Sequence, residues 1–216
     1  MPMPFKREIH HRRSIRLKGY DYSQEGLYFI TICIEDRKCL FGEIVVSDIN
    51  GCKQMILNDA GKMVERWYRE LENKYPDKRC HEMVIMPNHF HCIIENIELG
   101  NNIELGAHVG APLRGRPTNN IDPQNNVDPQ NNDSKFGLHN KKYNATIGNL
   151  VDWFKTMTTN EYIRGVKQSG WKRFDGKLWQ RNYYEHIIRS TEEYERIAVY
   201  IIDNPGKWQE DKFYNP

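Results

Sequence analysis

His89 and His91 flank a single apolar residue inside the stretch Met83-Val84-Ile85-Met86-Pro87-Asn88-His89-Phe90-His91-Cys92-Ile93-Ile94-Glu95. A run this rich in Ile, Val, Phe and Cys favours a strand. Successive strand side chains point to opposite faces, so both imidazoles share one face and Phe90 takes the other. Two imidazoles on one face can converge on one metal ion. The alternative is a pair of polar residues on a solvated strand face, a common arrangement. A two-histidine site needs further ligands, and Tyr200 and Asn204 supply candidates. They stand four residues apart in a helical stretch, hence on one helix face a single turn from each other. Asn204 can offer an amide oxygen to a hard cation, and Tyr200 a phenolic oxygen beside it. The competing reading of Tyr200 is one more core aromatic.

The elements that must position these groups follow from periodicity. Leu27 to Ile34 is apolar nearly throughout, which predicts a strand central in a sheet. Phe41 to Val46 and Cys52 to Leu57 bracket an Asn50-Gly51 turn and form an accessory hairpin. Asn58 caps a helix over Asp59 to Lys74, where Met63, Val64, Trp67, Tyr68 and Leu71 recur at helical steps and Pro76 stops the pattern. Strands follow over Arg79 to Met86 and His89 to Asn96, joined at Pro87-Asn88. Ala145 to Ile163 is a second helix. A last helix starts at Ser190-Thr191 and runs through Tyr194, Ile197, Ala198, Ile201 and Ile202 to Pro205-Gly206. With the early hairpin set aside, the order is βαββαβ. This predicts an α+β, ferredoxin-like antiparallel sheet with helices on one face, plus a terminal helix carrying Tyr200. The two strands meeting at Pro87-Asn88 would be its central pair.

The chain has 216 residues, enough for one domain with a real core and an insertion. The insertion is read at 97–142, rich in Asn, Gly, Pro and Asp and containing a short tandem repeat from Asn120 to Asn131. Such composition predicts a flexible surface segment, splitting one domain into 23–96 and 143–216. Net charge is only +2, so bulk charge announces no partner. Its distribution is more telling: within an N-terminal arm over 1–22, the first 18 residues carry Lys6, Arg7, Arg12, Arg13, Arg16 and Lys18 against one acid, Glu8. The arm is either a solvated tail or a phosphate-binding footprint. Five cysteines without a Cys-x-x-Cys pair fit buried thiols in a reducing compartment. The basic N-terminus lacks the apolar core of a signal peptide, and no stretch approaches the roughly 18 apolar residues of a membrane span. A cytoplasmic protein without a membrane partner is expected.

Three blocks, in order, resemble a known family. They are Met86-Pro87-Asn88-His89-Phe90-His91, then Trp179-Gln180-Arg181 with Tyr183-Tyr184-Glu185-His186, Ile188 and Arg189, and finally Tyr194, Ile197, Tyr200-Ile201 and Asn204-Pro205. They resemble the IS200-like single-tyrosine transposases, and more closely the REP-associated tyrosine transposase branch. The opening Arg12 to Tyr22 is also similar to that branch. The resemblance implies a His-hydrophobic-His endonuclease acting on single-stranded or hairpin DNA, with Mg²⁺ or Mn²⁺ as cofactor. It makes His89, His91 and Asn204 metal ligands and Tyr200 the nucleophile that forms a 5′-phosphotyrosine. Asn204 stands where better-known members carry Gln. The resemblance is compatible with a monomer or a homodimer, associated with the nucleoid when bound to DNA.

Such chemistry suits these residue types. A phenol titrates near pH 10, so a neighbouring divalent cation is needed to favour phenolate and offset phosphate charge. A phosphotyrosine conserves the energy of the broken phosphodiester, in keeping with the lack of a P-loop pattern. Tyr183 and Tyr184 are rival nucleophiles but read as aromatics packing the sheet. Glu185 and His186 are auxiliary candidates, orienting ligands or touching DNA. Arg181 and Arg189, with Arg12, Arg13, Arg16 and Lys18, are candidate phosphate contacts. Trp153 and Phe154 could stack on bases, with core packing favoured for at least one. Two rival functions are a transposase-derived protein that binds structured DNA or RNA without cutting, and a metal-dependent hydrolase of small substrates.

Overall fold

A computed structural model describes residues 19–47, 51–97 and 142–214. Its elements are β1 (Gly26–Cys33), β2 (Gly42–Val46), β3 (Lys53–Leu57), α1 (Asp59–Lys74), β4 (Lys78–Met86), β5 (His89–Asn96), α2 (Ile147–Ser169), β6 (Tyr184–Ile188) and α3 (Thr191–Asp203), with a 3-10 segment over Asn204–Glu210. The four-stranded sheet has the order β4-β5-β1-β6, and every neighbouring pair is antiparallel. Once the β2–β3 hairpin is set aside, this is the ferredoxin-like βαββαβ arrangement. The N-terminal arm with Arg12, Arg13, Arg16 and Lys18, the Asn50 half of the hairpin turn, and nearly all of the 97–142 stretch lie outside the described residues.

One expectation about the sheet needs correcting. The strands meeting at Pro87-Asn88 are not its central pair: β5 and β1 are central, while β4 is an edge. The physical reason is visible in burial. Most of β4 is only half-buried, whereas β5 is buried along nearly its whole length. The second helix is also longer than predicted, running on to Ser169, where Gly170 takes the left-handed conformation at φ 68° and closes it.

The sheet has two differently covered faces. Tyr28, Ile30 and Ile32 of β1 and Phe90, Cys92 and Ile94 of β5 point into the main core beneath α1 and α2. Phe29, Ile93 and Ile188 point the other way and pack on Ala198 and Ile201 of α3. Side-chain alternation therefore sends His89 and His91 to the α3 face, opposite Phe90. Asn58 caps α1 by accepting from the Gly61 amide, and Ser190 caps α3 by accepting from the Glu193 amide. At one corner of the molecule the Ile97 amide donates to the Asp77 carbonyl and the Asn144 amide to the Asp77 carboxylate. Among the described residues no helix is long and apolar enough to cross a membrane.

Candidate functional site

The site is assembled from β5, the end of α3 and the 3-10 segment beyond it. In register, His91 faces Thr31 of β1, and His89 faces Cys33 on one side and Met86 on the other. Both imidazoles are essentially solvent-free, His89 at 0% and His91 at 1% exposure. Each is held by its Nδ1. His89 Nδ1 lies 2.9 Å from Asn88 Oδ1, and His91 Nδ1 lies 2.7 Å from Thr31 Oγ1. An amide oxygen can only accept, so His89 Nδ1 carries the proton and its Nε2 presents a lone pair. Asn88 also donates its amide to the carbonyls of Arg37 and Phe213, at 3.1 and 2.8 Å. It thereby ties the histidine strand to the C-terminal segment.

Around the two Nε2 atoms stand three further groups. The Tyr200 hydroxyl is 3.3 Å from His91 Nε2, an Asp211 carboxylate oxygen is 3.9 Å from His89 Nε2, and the Asn204 amide donates to that same oxygen at 3.3 Å. Among the described residues, His89, His91 and Asp211 form a cluster whose ligand atoms all lie within 4.8 Å of one another. Donors about 2.1 Å from a shared small divalent ion sit up to about 4 Å apart, so slight closure would let one ion bridge the three. Two buried acceptor atoms on these residues have no hydrogen-bond partner, His89 Nε2 and Asn204 Oδ1. Orphaned acceptors of this kind are costly unless something fills them, and the set of imidazole, carboxylate and amide oxygen suits a divalent cation. The donor set fits a metal.

Electrostatics point the same way. Burial, reinforced by His91, drives the His89 imidazole down to about 2, and burial with Lys212 nearby takes His91 to about 3. Both rings are thus neutral and able to ligate at ordinary pH. Burial, then the Asp211 carboxylate, pushes the Tyr200 phenol up from its usual value, with Asn204 pulling slightly the other way. Without a cation the phenol is protonated and lies within hydrogen-bond reach of His91 Nε2, the atom a metal would need.

The structure brings His89, His91, Tyr200 and Asn204 together and adds Asp211. Asp211 was not singled out in the sequence because it lies past the helix, in a polar tail with no periodicity. The only cue was its place seven residues beyond Asn204. The auxiliary pair divides. Glu185 is in register with Ile30 and points into the core beneath α1 and α2, away from the histidines. His186 shares the site's face but sits 2.8 Å from Glu193, at the start of α3. Arg181 and Arg189 are exposed near the ends of β6. Trp153 and Phe154 are both buried in the main core. Tyr183 is partly buried against the main core, as expected, but Tyr184 is 42% exposed. It was expected to pack the sheet. Instead it lines the cleft beside Tyr200, because its pairing with Thr31 turns it to the α3 face.

Comparison with known proteins adds one relative at high coverage. The chain is 38% identical over 217 aligned positions to an uncharacterized protein of Haemophilus influenzae, covering 99% of each. The chain belongs to that protein's family. No family model matches it. Among solved structures, it is similar to a REP-associated tyrosine transposase bound to a REP hairpin, with 16% identity, 89% of this chain and 73% of that chain covered, and a TM-score of 0.47. It is also similar to a candidate transposase from Deinococcus radiodurans, with 13% identity, 87% and 97% coverage and a TM-score of 0.39.

Proposed function

We propose that this protein is a metal-dependent endonuclease and strand-transferase for single-stranded, hairpin-forming DNA. Tyr200 is its nucleophile, and His89, His91, Asp211 and Asn204 hold a Mg²⁺ or Mn²⁺ ion. The observation that carries the reading is a partly exposed phenol 3.3 Å from one buried imidazole, near a second imidazole whose Nε2, like the Asn204 amide oxygen, has no hydrogen-bond partner. When bound, the ion supplies positive charge to the phosphate and favours the phenolate.

The chain's own residues do the rest. Asn88 and Thr31 hold the imidazoles so that both Nε2 atoms face the cleft. The Asn204 amide orients the Asp211 carboxylate. The Tyr200 oxygen bonds to phosphorus while the P–O3′ bond breaks, and the proton the phenol loses ends on the departing O3′. One DNA end is left as a 3′-OH and the other as a 5′-phosphotyrosyl ester. Reversal by another 3′-OH rejoins strands without added energy. Arg181 and Arg189 are exposed and able to meet phosphates, and Arg12, Arg13, Arg16 and Lys18 extend that role by charge.

The test is to incubate the protein with labelled hairpin-bearing single-stranded DNA and Mn²⁺ and look for an SDS-stable adduct. The wild type and Tyr183→Phe should form it, and Tyr200→Phe should not. An adduct that persists in Tyr200→Phe assigns the chemistry to another oxygen.

A further inference from the structure

We propose that the ring of Tyr184 is a stacking platform for the unpaired base adjacent to the attacked phosphate, with Lys212 and Lys207 holding that nucleotide's backbone. The inference rests on the nuclease reading above and names how its substrate is seated.

The first support is placement. Tyr184 opens β6 and pairs with Thr31, whose other neighbour across β1 is His91. Antiparallel partners share a face, so Tyr184, Thr31 and His91 form one row across the sheet toward the α3 side. The Phe29 ring packs edge-on against Tyr184 at 6.2 Å and against Tyr200 at 6.1 Å. The two tyrosine rings are therefore no more than about 12 Å apart, each in contact with Phe29. A phosphate beside the Tyr200 hydroxyl has its neighbouring base within reach of Tyr184. Both tyrosines line one open cleft of about 440 Å³, together with Lys207 and Lys212. Clefts of about 300 to 1,000 Å³ are the usual size for small-ligand sites.

The second support is what the ring does without DNA. A tyrosine that only packs a sheet is covered, whereas Tyr184 is 42% exposed. The Lys212 ammonium lies over its ring, 5.5 Å from the centroid. Cations and nucleobases use the same π-face. A base stacking there displaces the ammonium, which is then free to pair with the incoming phosphate. Stacking of this kind is tolerant of sequence, because every base has a π-face. The subsite therefore selects for an unpaired nucleotide rather than for a particular base.

The experiment uses the full-length protein with Mn²⁺ and a hairpin DNA whose single-stranded flank carries one 2-aminopurine, stepped along the flank. In the wild type, fluorescence should be quenched at one position next to the mapped cleavage point. Tyr184→Phe keeps the ring and should keep the quench. Tyr184→Leu should lose it and raise KM for adduct formation about tenfold, within the range for loss of one base stack. An abasic site at that position should weaken the wild type similarly and Tyr184→Leu little further. Unchanged Mn²⁺ affinity in both variants checks that they fold. If adducts form but quench and KM in Tyr184→Leu match the wild type, the platform is refuted and the nuclease reading stands. If no protein forms an adduct but the quench depends on Tyr184, the platform stands and the nuclease reading falls. With neither adduct nor quench, both fall.

Discussion

Lowering the pH from 7 to 5 in the presence of a chelator should destabilise the protein by about 4 kcal/mol through His89 and His91 alone. In the folded chain burial holds these imidazoles at about 2 and about 3, while in the unfolded chain they titrate near 6.5. The native state therefore refuses protons that the unfolded state accepts. Stability is fully present above pH 6.5 and is lost as pH falls toward the folded values. At pH 5 the unfolded chain gains about 2 kcal/mol from each histidine. The Asp211 carboxylate 3.9 Å from His89 works in the opposite direction, so the figure is an upper bound. It is large against the 5 to 15 kcal/mol typical of a whole domain. Urea unfolding of the wild type and of the double variant His89→Gln/His91→Gln, at both pH values, isolates the effect because other groups cancel. With a slope of about 2 kcal/mol per molar urea, the wild-type midpoint should fall by up to about 2 M more than the variant's. Equal losses in the two proteins would mean that the imidazoles are not held neutral by burial.

Three more outcomes follow from the site and the core. Asp211→Asn removes the carboxylate of the cluster and should weaken Mn²⁺ binding by about 10- to 100-fold in calorimetry, the loss usual for outer-shell changes being a lower guide. Tyr200→Phe frees the His91 Nε2 lone pair from a hydrogen bond worth about 1 kcal/mol and should tighten Mn²⁺ binding about fivefold; weaker binding would make the phenol itself a ligand. Gly165→Ala sets a Cβ 2.3 Å from the Trp171 ring and should cost about 1 to 3 kcal/mol of stability in thermal or urea unfolding.

The histidine strand was readable because its apolar run and its polar pair obey one period. The same applies to α1, where cap, apolar stripe and Pro76 agree on one element. The sheet order was less legible. A run such as Cys80 to Met86 is apolar enough for an interior strand, yet half-burial puts it at the edge, and only tertiary packing decides that. Asp211 escaped notice for a related reason. It belongs to a non-periodic tail whose position depends on long-range hydrogen bonds from Asn88 and Asn204, and no local pattern encodes them. Tyr184 was misjudged because composition favours burial of aromatics, whereas its face follows from its register with β1.

Asp77 meets the chain on either side of the 98–141 stretch, through its carbonyl at Ile97 and its carboxylate at Asn144, while the Lys142 amide donates to the Lys74 carbonyl. Both boundaries of that stretch are moored to the turn between α1 and β4, on the sequence side of β5 away from His89. Passengers of different size spliced between those moorings should leave the strand pairing undisturbed, which would make this corner a natural attachment point for a fluorescent reporter or an affinity handle.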